Sequence, residues 1–236
     1  MKKLGIIGAM TVEVETLKAH MSDCVHTIRA GMEFCEGKLG CLDAVVVQCG
    51  VGKVNAALCV QILCDCYGVT HVVNTGVAGS LLAELDIGDL VISKEAVYHD
   101  FDCHVINPDY RVGQVPGMPV WSFAADKTLM DLAMAAAETV NPGHSHFGTV
   151  ASGDQFICSK DAKEKIIADT GAICTEMEGA AIAHAAWRNG VPFVILRAIS
   201  DKADDSAEME YPTFEAIAAV RCAAVTECLA QKLWEV

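Results

Sequence analysis

Two patterns of hydrophobic positions alternate along this chain. Short runs that are apolar throughout, without the period-two alternation of a half-exposed strand, are typical of strands buried on both faces. Between them lie longer segments with apolar positions at helical spacing, bounded by Gly, Pro or Asn. Predicted strands span residues 3–7, 32–40, 42–48, 69–74, 89–93, 96–99, 148–151 and 191–199. Four predicted helices span residues 54–67, 128–139, 162–168 and 211–234. Another begins near residue 11, and a sixth follows Glu178 and ends at residue 189.

This alternation of strands and helices predicts an α/β fold with a mixed, mostly parallel twisted sheet flanked by helices. Hydrophobic residues make up 53% of the chain, and no linker rich in Pro, Gly or Ser interrupts the pattern. We therefore expect residues 1–236 to form a single domain. The long irregular section at residues 101–122 contains three prolines, and a loop of that length usually has a function or packs against a partner.

Charge and composition exclude several classes of function. The net charge of −14 argues against nucleic acid or an anionic membrane surface as partner. The apolar run after Lys2 and Lys3 meets Glu13 and Glu15 too early for a signal peptide, and no segment reaches the roughly 18 to 20 apolar residues of a membrane span. We therefore expect a cytoplasmic protein.

The twelve cysteines do not follow a recognised metal or disulfide pattern. The sequence contains no Cys-x-x-Cys, and several cysteines lie within apolar helix or strand segments, where free Cys behaves as a small hydrophobic residue. We expect neither a zinc site nor a disulfide framework.

The segment Gly50-Val51-Gly52-Lys53-Val54 has the appearance of a nucleotide-binding loop, but it does not match one. A Walker A loop needs Gly where Val47 stands and Ser or Thr where Val54 stands. A Rossmann fingerprint needs Gly in place of Asn55. Neither ATP nor NAD binding is therefore predicted.

Polar or glycine-rich groups follow five predicted strands. They are Glu13, residues 75–79, residues 152–157, Glu178 after the short apolar segment 171–175, and residues 197–201. The carboxyl ends of parallel strands face the same side of a sheet, so these groups are expected to surround one cleft. Because no cysteine, histidine or metal-binding cluster is among them, carboxylates are the expected catalysts.

Three carboxylates without a metal suit cleavage of a glycosidic bond. One stays protonated and donates its proton to the leaving group, while another is ionised and activates water on the opposite face of the sugar. A third can accept hydrogen bonds from sugar hydroxyls. Burial at the end of an apolar strand would raise the pKa of the general acid.

Sequence blocks along nearly the whole chain are similar to one enzyme family. The sequence closely resembles the 5′-methylthioadenosine/S-adenosylhomocysteine nucleosidases of the nucleoside phosphorylase superfamily. The matching blocks are GIIGAM with Glu13, GVGKVNAA at Gly50, NTGVAG at Asn74, GDLVIS at Gly88, YHD at Tyr98, QVPG at Gln114, SGDQFI at Ser152, EMEGAAIAH at Glu176 and RAISDKA at Arg197.

The resemblance implies a nucleoside phosphorylase-like fold and hydrolysis of methylthioadenosine and S-adenosylhomocysteine to adenine and a thioribosyl product, without metal or cofactor. It implies that Asp201 protonates the purine at N7, that Glu13 activates water and that Glu178 holds the ribose hydroxyls. It also implies that Arg197 orients water or Glu178, and that Ser200 orients Asp201.

The remaining substrate-binding positions follow from the same resemblance. Met177 is expected under the ribose, Phe156 and the Ile157 backbone at the adenine, and Met10, Val51 and Tyr211 around the alkylthio group, with Ala9, Val77, Ala78 and Gly79 also at the substrate. The resemblance implies a homodimer in which the loop around Pro116 closes the partner's site.

Alternatives within and outside this activity remain open at this point. A nucleosidase that prefers aminodeoxyfutalosine or 5′-deoxyadenosine would differ mainly in the 5′ substituent. A phosphorylase would need a cationic phosphate pocket, where this chain has Gly-Ala-Met and Glu13. A nucleoside-binding protein without catalysis is disfavoured by the three carboxylates.

Overall fold

The computed structural model describes residues 2–236 and alternates strands with helices along that range. The strands are β1 (Lys3–Gly8), β2 (Met21–Arg29), β3 (Met32–Leu39), β4 (Leu42–Gln48), β5 (His71–Ser80), β6 (Leu90–Tyr98), β7 (Phe123–Ala124), β8 (Ser145–Ser152), β9 (Cys174–Glu176) and β10 (Phe193–Asp201). The helices are α1 (Thr11–Ala19), α2 (Lys53–Tyr67), α3 (Lys127–Val140), α4 (Lys160–Thr170), α5 (Gly179–Asn189) and α6 (Ala207–Glu235).

Within this described range the strands form one mixed sheet that closes on itself. The order is β10-β6-β8-β9-β5-β1-β4-β3-β2, β7 pairs with β6, and β10 also pairs with β5. Strands β5, β9, β8, β6 and β10 therefore form a ring, and β1, β4, β3 and β2 extend from it. This confirms the predicted mixed sheet flanked by helices. Apolar runs indicate burial but not which edge strands meet, so they did not predict the closure.

Helices cover both faces of the sheet around β1 and β4. Successive side chains of β1 point to opposite faces, so Ile7 packs with the core cluster that includes α2 and α5, whereas Leu4 and Ile6 pack with the cluster that includes α1, α3 and α6. Burial on both faces explains why β1, β4 and β10 have almost continuous apolar sequences.

Several elements differ from the sequence prediction. β2 was missed because it is an edge strand with mostly exposed side chains, including Val25 and Ile28. β5 runs through to Ser80, although its second half, Thr75-Gly76-Val77-Ala78-Gly79-Ser80, suggested a glycine-rich turn. The strands predicted at residues 89–93 and 96–99 are replaced by one strand, β6 (Leu90–Tyr98), which has a register shift between Ser93 and Glu95 where it pairs with β8.

The last helix also begins earlier than predicted. The sequence predicts a helix over 211–234, but α6 starts at Ala207 and contains Pro212 near its N-terminal end. Glu208 and Glu210 in the first turn favour a helix start there, because the helix N-terminus carries partial positive charge. Among residues 2–236, no helix has both the length and the hydropathy needed to cross a membrane.

Candidate active site

A cleft lies where the carboxyl ends of β1, β5, β9 and β10 come together. Its main cavity has a volume of about 100 Å³, and a smaller one of about 40 Å³ adjoins it. Both are lined by Gly79, Phe156, Thr175, Glu176, Met177 and Asp201. The main cavity is lined by Ala9, Met10, Glu13, Val51, Val77, Ala78, Gly79, Phe156, Thr175, Glu176, Met177, Glu178, Arg197, Ser200, Asp201 and Tyr211, and Ile157 lines the smaller one.

The structure thus brings together every predicted site residue except Pro116. Segments far apart in sequence converge because β1, β5 and β10 run parallel. The short strand β9 pairs antiparallel with the end of β5, which brings Glu176 beside it. Pro116 lies in the irregular segment between β6 and β7 and does not line either cavity. Its role at a partner's site stays a prediction.

Glu13 occupies the third position of α1 and is almost fully buried. Its Oε2 accepts hydrogen bonds from the backbone N–H groups of Ala9 (2.7 Å) and Met10 (3.0 Å), and its Oε1 accepts one from Val77 (3.0 Å). Burial raises the pKa of Glu13, while Arg197 and these N–H groups act in the opposite direction. The carboxyl group is therefore fixed in place and has a raised pKa, which is suitable for a general base.

Gly76 explains why the second half of β5 is rich in glycine. A Cβ atom at this position would overlap Glu13 Oε1 and lie 2.5 Å from Arg197 Nη1. At Gly79, a Cβ would lie 2.7 Å from Asp201 Oδ1. The two glycines give the carboxyl groups space at the strand, so β5 stays regular where its sequence suggested a turn.

Asp201 is the last residue of β10, and its side chain is held from two directions. Oδ1 accepts a hydrogen bond from the backbone N–H of Ala203 (2.8 Å), and Oδ2 accepts one from the hydroxyl of Ser200 (2.9 Å). Burial raises the pKa of Asp201, and the nearby Glu210 carboxylate adds to this, while the two hydrogen bonds favour the ionised form. A buried carboxyl group with a raised pKa can act as a general acid.

Glu178 stands at the N-terminus of α5 and points into the cleft. Its Oε1 accepts the Gly52 N–H (2.8 Å), and its Oε2 lies 3.5 Å from Arg197 Nη2. Burial and the adjacent Glu176 carboxylate raise the pKa of Glu178 from 4.5 to about 7, although Arg197 partly offsets them. The glycine-rich loop that resembled a nucleotide-binding motif therefore serves to hold a carboxylate.

Glu176 is the carboxylate whose role the sequence did not indicate. It accepts hydrogen bonds from the N–H groups of Glu178 (3.0 Å) and Gly179 (2.8 Å), from the Ser152 hydroxyl and from Arg197. These partners occupy both of its oxygens, so Glu176 anchors the start of α5 and orients Arg197. Glu178, two residues later, has fewer partners and faces the cavity.

Arg197 is the cation around which the glutamates are arranged. Its guanidinium contacts Glu176 and Asn74 directly, donates to the Val77 carbonyl (3.2 Å) and lies 3.9 Å from Glu13 Oε1. Asn74, a second residue to which sequence analysis assigned no role, is fixed by its bond to the Ile7 carbonyl (3.0 Å). Both missed residues lie within the EMEG and NTG blocks, which marked the segments but not the contacts.

The opposite wall of the cleft is apolar and partly open. The Phe156 and Tyr211 rings meet edge to face with centroids 5.4 Å apart, and the Tyr211 hydroxyl lies 3.3 Å from Met10 Sδ. Phe156 and Val51 each remain 47% exposed. This geometry provides a flat apolar contact surface beside Asp201 and a thioether-lined end beside Glu13.

Comparison with known proteins gives a consistent result. The model of the phosphorylase superfamily matches residues 3–230. A 5′-methylthioadenosine/S-adenosylhomocysteine nucleosidase from Geobacillus kaustophilus is 40% identical over 213 residues, covering 90% of this chain and 89% of that protein. One from Shewanella frigidimarina is 38% identical and covers 98% of this chain and 100% of its own.

This chain belongs to the phosphorylase superfamily. Among solved structures, the methylthioadenosine/S-adenosylhomocysteine nucleosidase of Neisseria meningitidis, in complex with methylthio-immucillin-A, is 34% identical with a TM-score of 0.94, covering 98% of this chain and 100% of that one. The futalosine hydrolase of Helicobacter pylori is 32% identical with a TM-score of 0.92, covering 98% of each chain. Both confirm the fold predicted from the sequence.

Proposed function

We propose that this protein is an N-glycosyl hydrolase that cleaves 5′-methylthioadenosine and S-adenosylhomocysteine. The products are adenine and either 5-methylthioribose or S-ribosylhomocysteine. The observation that carries this proposal is the convergence of three buried carboxyl groups, those of Glu13, Glu178 and Asp201, on one cleft in three different environments. The nucleosidase relatives described above support the substrate class.

Asp201 supplies the proton in this mechanism. Its buried carboxyl group, with a raised pKa, donates the proton to N7 of the purine, which turns adenine into a neutral leaving group. Ser200 and Ala203 fix the orientation of the carboxyl group. Phe156 packs against the adenine, and the backbone of Ile157 binds its edge.

Glu13 and Glu178 act on the sugar side of the bond. Glu13, held by three backbone N–H groups, positions a water molecule and accepts its proton as the water attacks the anomeric carbon. Glu178 accepts hydrogen bonds from the ribose hydroxyls, and its negative charge stabilises the oxocarbenium-like transition state. Arg197 keeps both glutamates in place.

The apolar end of the cleft accommodates the 5′ substituent. Met10, Val51 and Tyr211 surround the alkylthio group, and Met177 packs under the ribose, with Ala9, Val77, Ala78 and Gly79 forming the wall between β1 and β5. Aminodeoxyfutalosine is the second candidate substrate, because a futalosine hydrolase shares the fold at 32% identity.

A phosphate-dependent reaction is disfavoured by the charges in the cleft. Among the described residues that line it, Arg197 is the one cation, and its guanidinium is already engaged by Glu176 and Asn74. The Glu13 carboxylate would repel a phosphate ion placed at the sugar. Water is therefore the nucleophile that fits.

We propose further that the protein is a cytoplasmic homodimer whose whole chain forms one catalytic domain. Val105 (87% exposed) and Ile106 (81%) lie on the loop that contains Pro116, and such exposed apolar side chains suit contact with a second copy. Sedimentation equilibrium would test the dimer. A protein that stays monomeric at micromolar concentration while fully active would contradict it.

The substitution Asp201→Asn tests the catalytic assignment. Loss of the general acid should lower the rate of adenine release from methylthioadenosine by on the order of 10² or more. Asp205→Asn, at an exposed position in the turn that follows β10, is the matched control and should keep the wild-type rate. Near wild-type turnover of a folded Asp201→Asn variant would rule out the proposed role.

A further inference from the structure

Two cysteines and a histidine meet on the hairpin formed by β2 and β3, away from the cleft. The side chains are those of Cys24 and His26 on β2 and Cys35 on β3, and their ligand atoms all lie within 4.8 Å of one another. Cys35 Sγ and His26 Nε2 are 3.8 Å apart. None of the three lines either cavity of the cleft.

The register of the hairpin places these side chains on one face. His26 stands directly opposite Cys35, and Cys24 precedes His26 by two residues, so all three point the same way. A bulge between Ser22 and Val25, with Asp23 at φ 56°, shifts the register just before Cys24. The placement of the three side chains on one face therefore depends on this bulge as well as on the alternation of side chains along the strands.

Gly37 provides the space for Cys24. A Cβ atom at this position would lie 2.5 Å from the Ser22 carbonyl oxygen and 3.3 Å from Cys24 Sγ. A larger residue would displace the thiol or the backbone of β2. The absence of a side chain at this one position thus leaves room beside the sulfur atom.

His26 is oriented by a carboxylate on the same face. Its Nδ1 lies 3.3 Å from Glu33 Oε1, and Glu33 Oε2 pairs with Lys18 Nζ at 2.8 Å. A carboxylate bound to one imidazole nitrogen directs the other nitrogen, with its lone pair, towards a metal ion. Here that other nitrogen, Nε2, points towards Cys35.

We infer that this hairpin binds a divalent cation with affinity for thiolate ligands, such as Zn²⁺, through Cys24, His26 and Cys35. Tetrahedral coordination by sulfur and nitrogen needs ligand atoms about 3.6 Å apart, and the Cys35–His26 pair is already close to that spacing. Cys35 is buried, whereas Cys24 is partly exposed and His26 more so, which leaves a fourth position open to water. The pattern escaped sequence analysis because the ligands come from two strands.

Titration of the reduced, metal-free protein with Co²⁺ tests this site. Thiolate and imidazole ligands should give a sulfur-to-cobalt charge-transfer band that saturates at one ion per chain, and Zn²⁺ should displace the cobalt. Cys24→Ser and His26→Gln should each weaken binding at least about ten-fold. Both positions are at least partly exposed, so both variants should fold.

Two further variants separate this site from general thiol binding. Glu33→Ala should weaken Co²⁺ binding by about 10- to 100-fold, because it removes the carboxylate that orients His26. Cys66→Ser, at an exposed cysteine of α2, should leave the titration unchanged. A wild-type protein without the charge-transfer band would overturn the inference, as would titrations that Cys24→Ser and His26→Gln leave unchanged.

Discussion

The protonation of Glu178 links stability to pH in a way that a single substitution can reveal. Burial and Glu176 raise the pKa of this group from 4.5 to about 7. Below pH 4.5 both the folded and the unfolded protein hold the proton, so the contribution of the protonated Glu178 side chain to the free energy of unfolding is fully present. As the pH rises through 7 the folded protein must ionise a buried carboxyl group, and this contribution is lost.

The magnitude follows from the size of the rise in pKa. Each pKa unit corresponds to about 1.4 kcal/mol, so the rise from 4.5 to about 7 corresponds to about 3 kcal/mol. Glu178→Gln removes the buried charge while keeping an oxygen that can accept the Gly52 N–H. At pH 8 the variant should therefore be more stable than the wild type by up to about 3 kcal/mol, and near pH 4.5 the two should be similar.

Urea unfolding at a series of pH values measures this difference. Glu208→Gln, at an exposed position of α6, is the matched control and should show no such trend. Glu13 and Asp201 titrate in wild type and variant alike, so their contributions largely cancel in the difference between the two free energies of unfolding. If Glu178→Gln were less stable than the wild type at pH 8, Arg197 would have to stabilise the ionised carboxylate more than burial penalises it, and the reasoning would be wrong.

Two further predictions concern the placement of the other carboxyl groups. Gly76→Ala should lower the rate of adenine release by on the order of 10², because its Cβ would displace Glu13 and Arg197. A variant with wild-type kcat would show that the position of Glu13 is not critical. Ser200→Ala removes a bond that favours ionised Asp201, so the pKa of Asp201 should rise. The alkaline limb of the kcat–pH profile should then move to higher pH. An unchanged limb would show that Asp201 is not the general acid.

The central strands were predictable because they are buried on both faces. β1, β4 and β10 have continuous apolar sequences, and helices with apolar faces cover them. β2 could not be recognised, since an exposed edge strand has no apolar run to mark it. The closure of the sheet through β10 and β5 depends on contacts between distant segments, which local patterns do not encode.

The site was predictable to the level of residue type at strand ends. Polar groups after apolar strands identified the positions of Glu13, Glu178 and Asp201, and the structure places all three at one cleft. The sequence did not predict that Glu176 anchors α5 and orients Arg197 while Glu178 faces the cavity. It depends on whether Ser152 and Arg197, which come from two other strands, reach one carboxylate or the other.

The identity of the nucleophile is the central claim, and product analysis tests it most directly. Adenine release from methylthioadenosine should be measured with and without inorganic phosphate, and the sugar product identified. The account predicts free 5-methylthioribose and equal rates in both conditions, because Glu13 activates water and repels phosphate. Strict dependence on phosphate, with the sugar recovered as its 1-phosphate, would contradict the account.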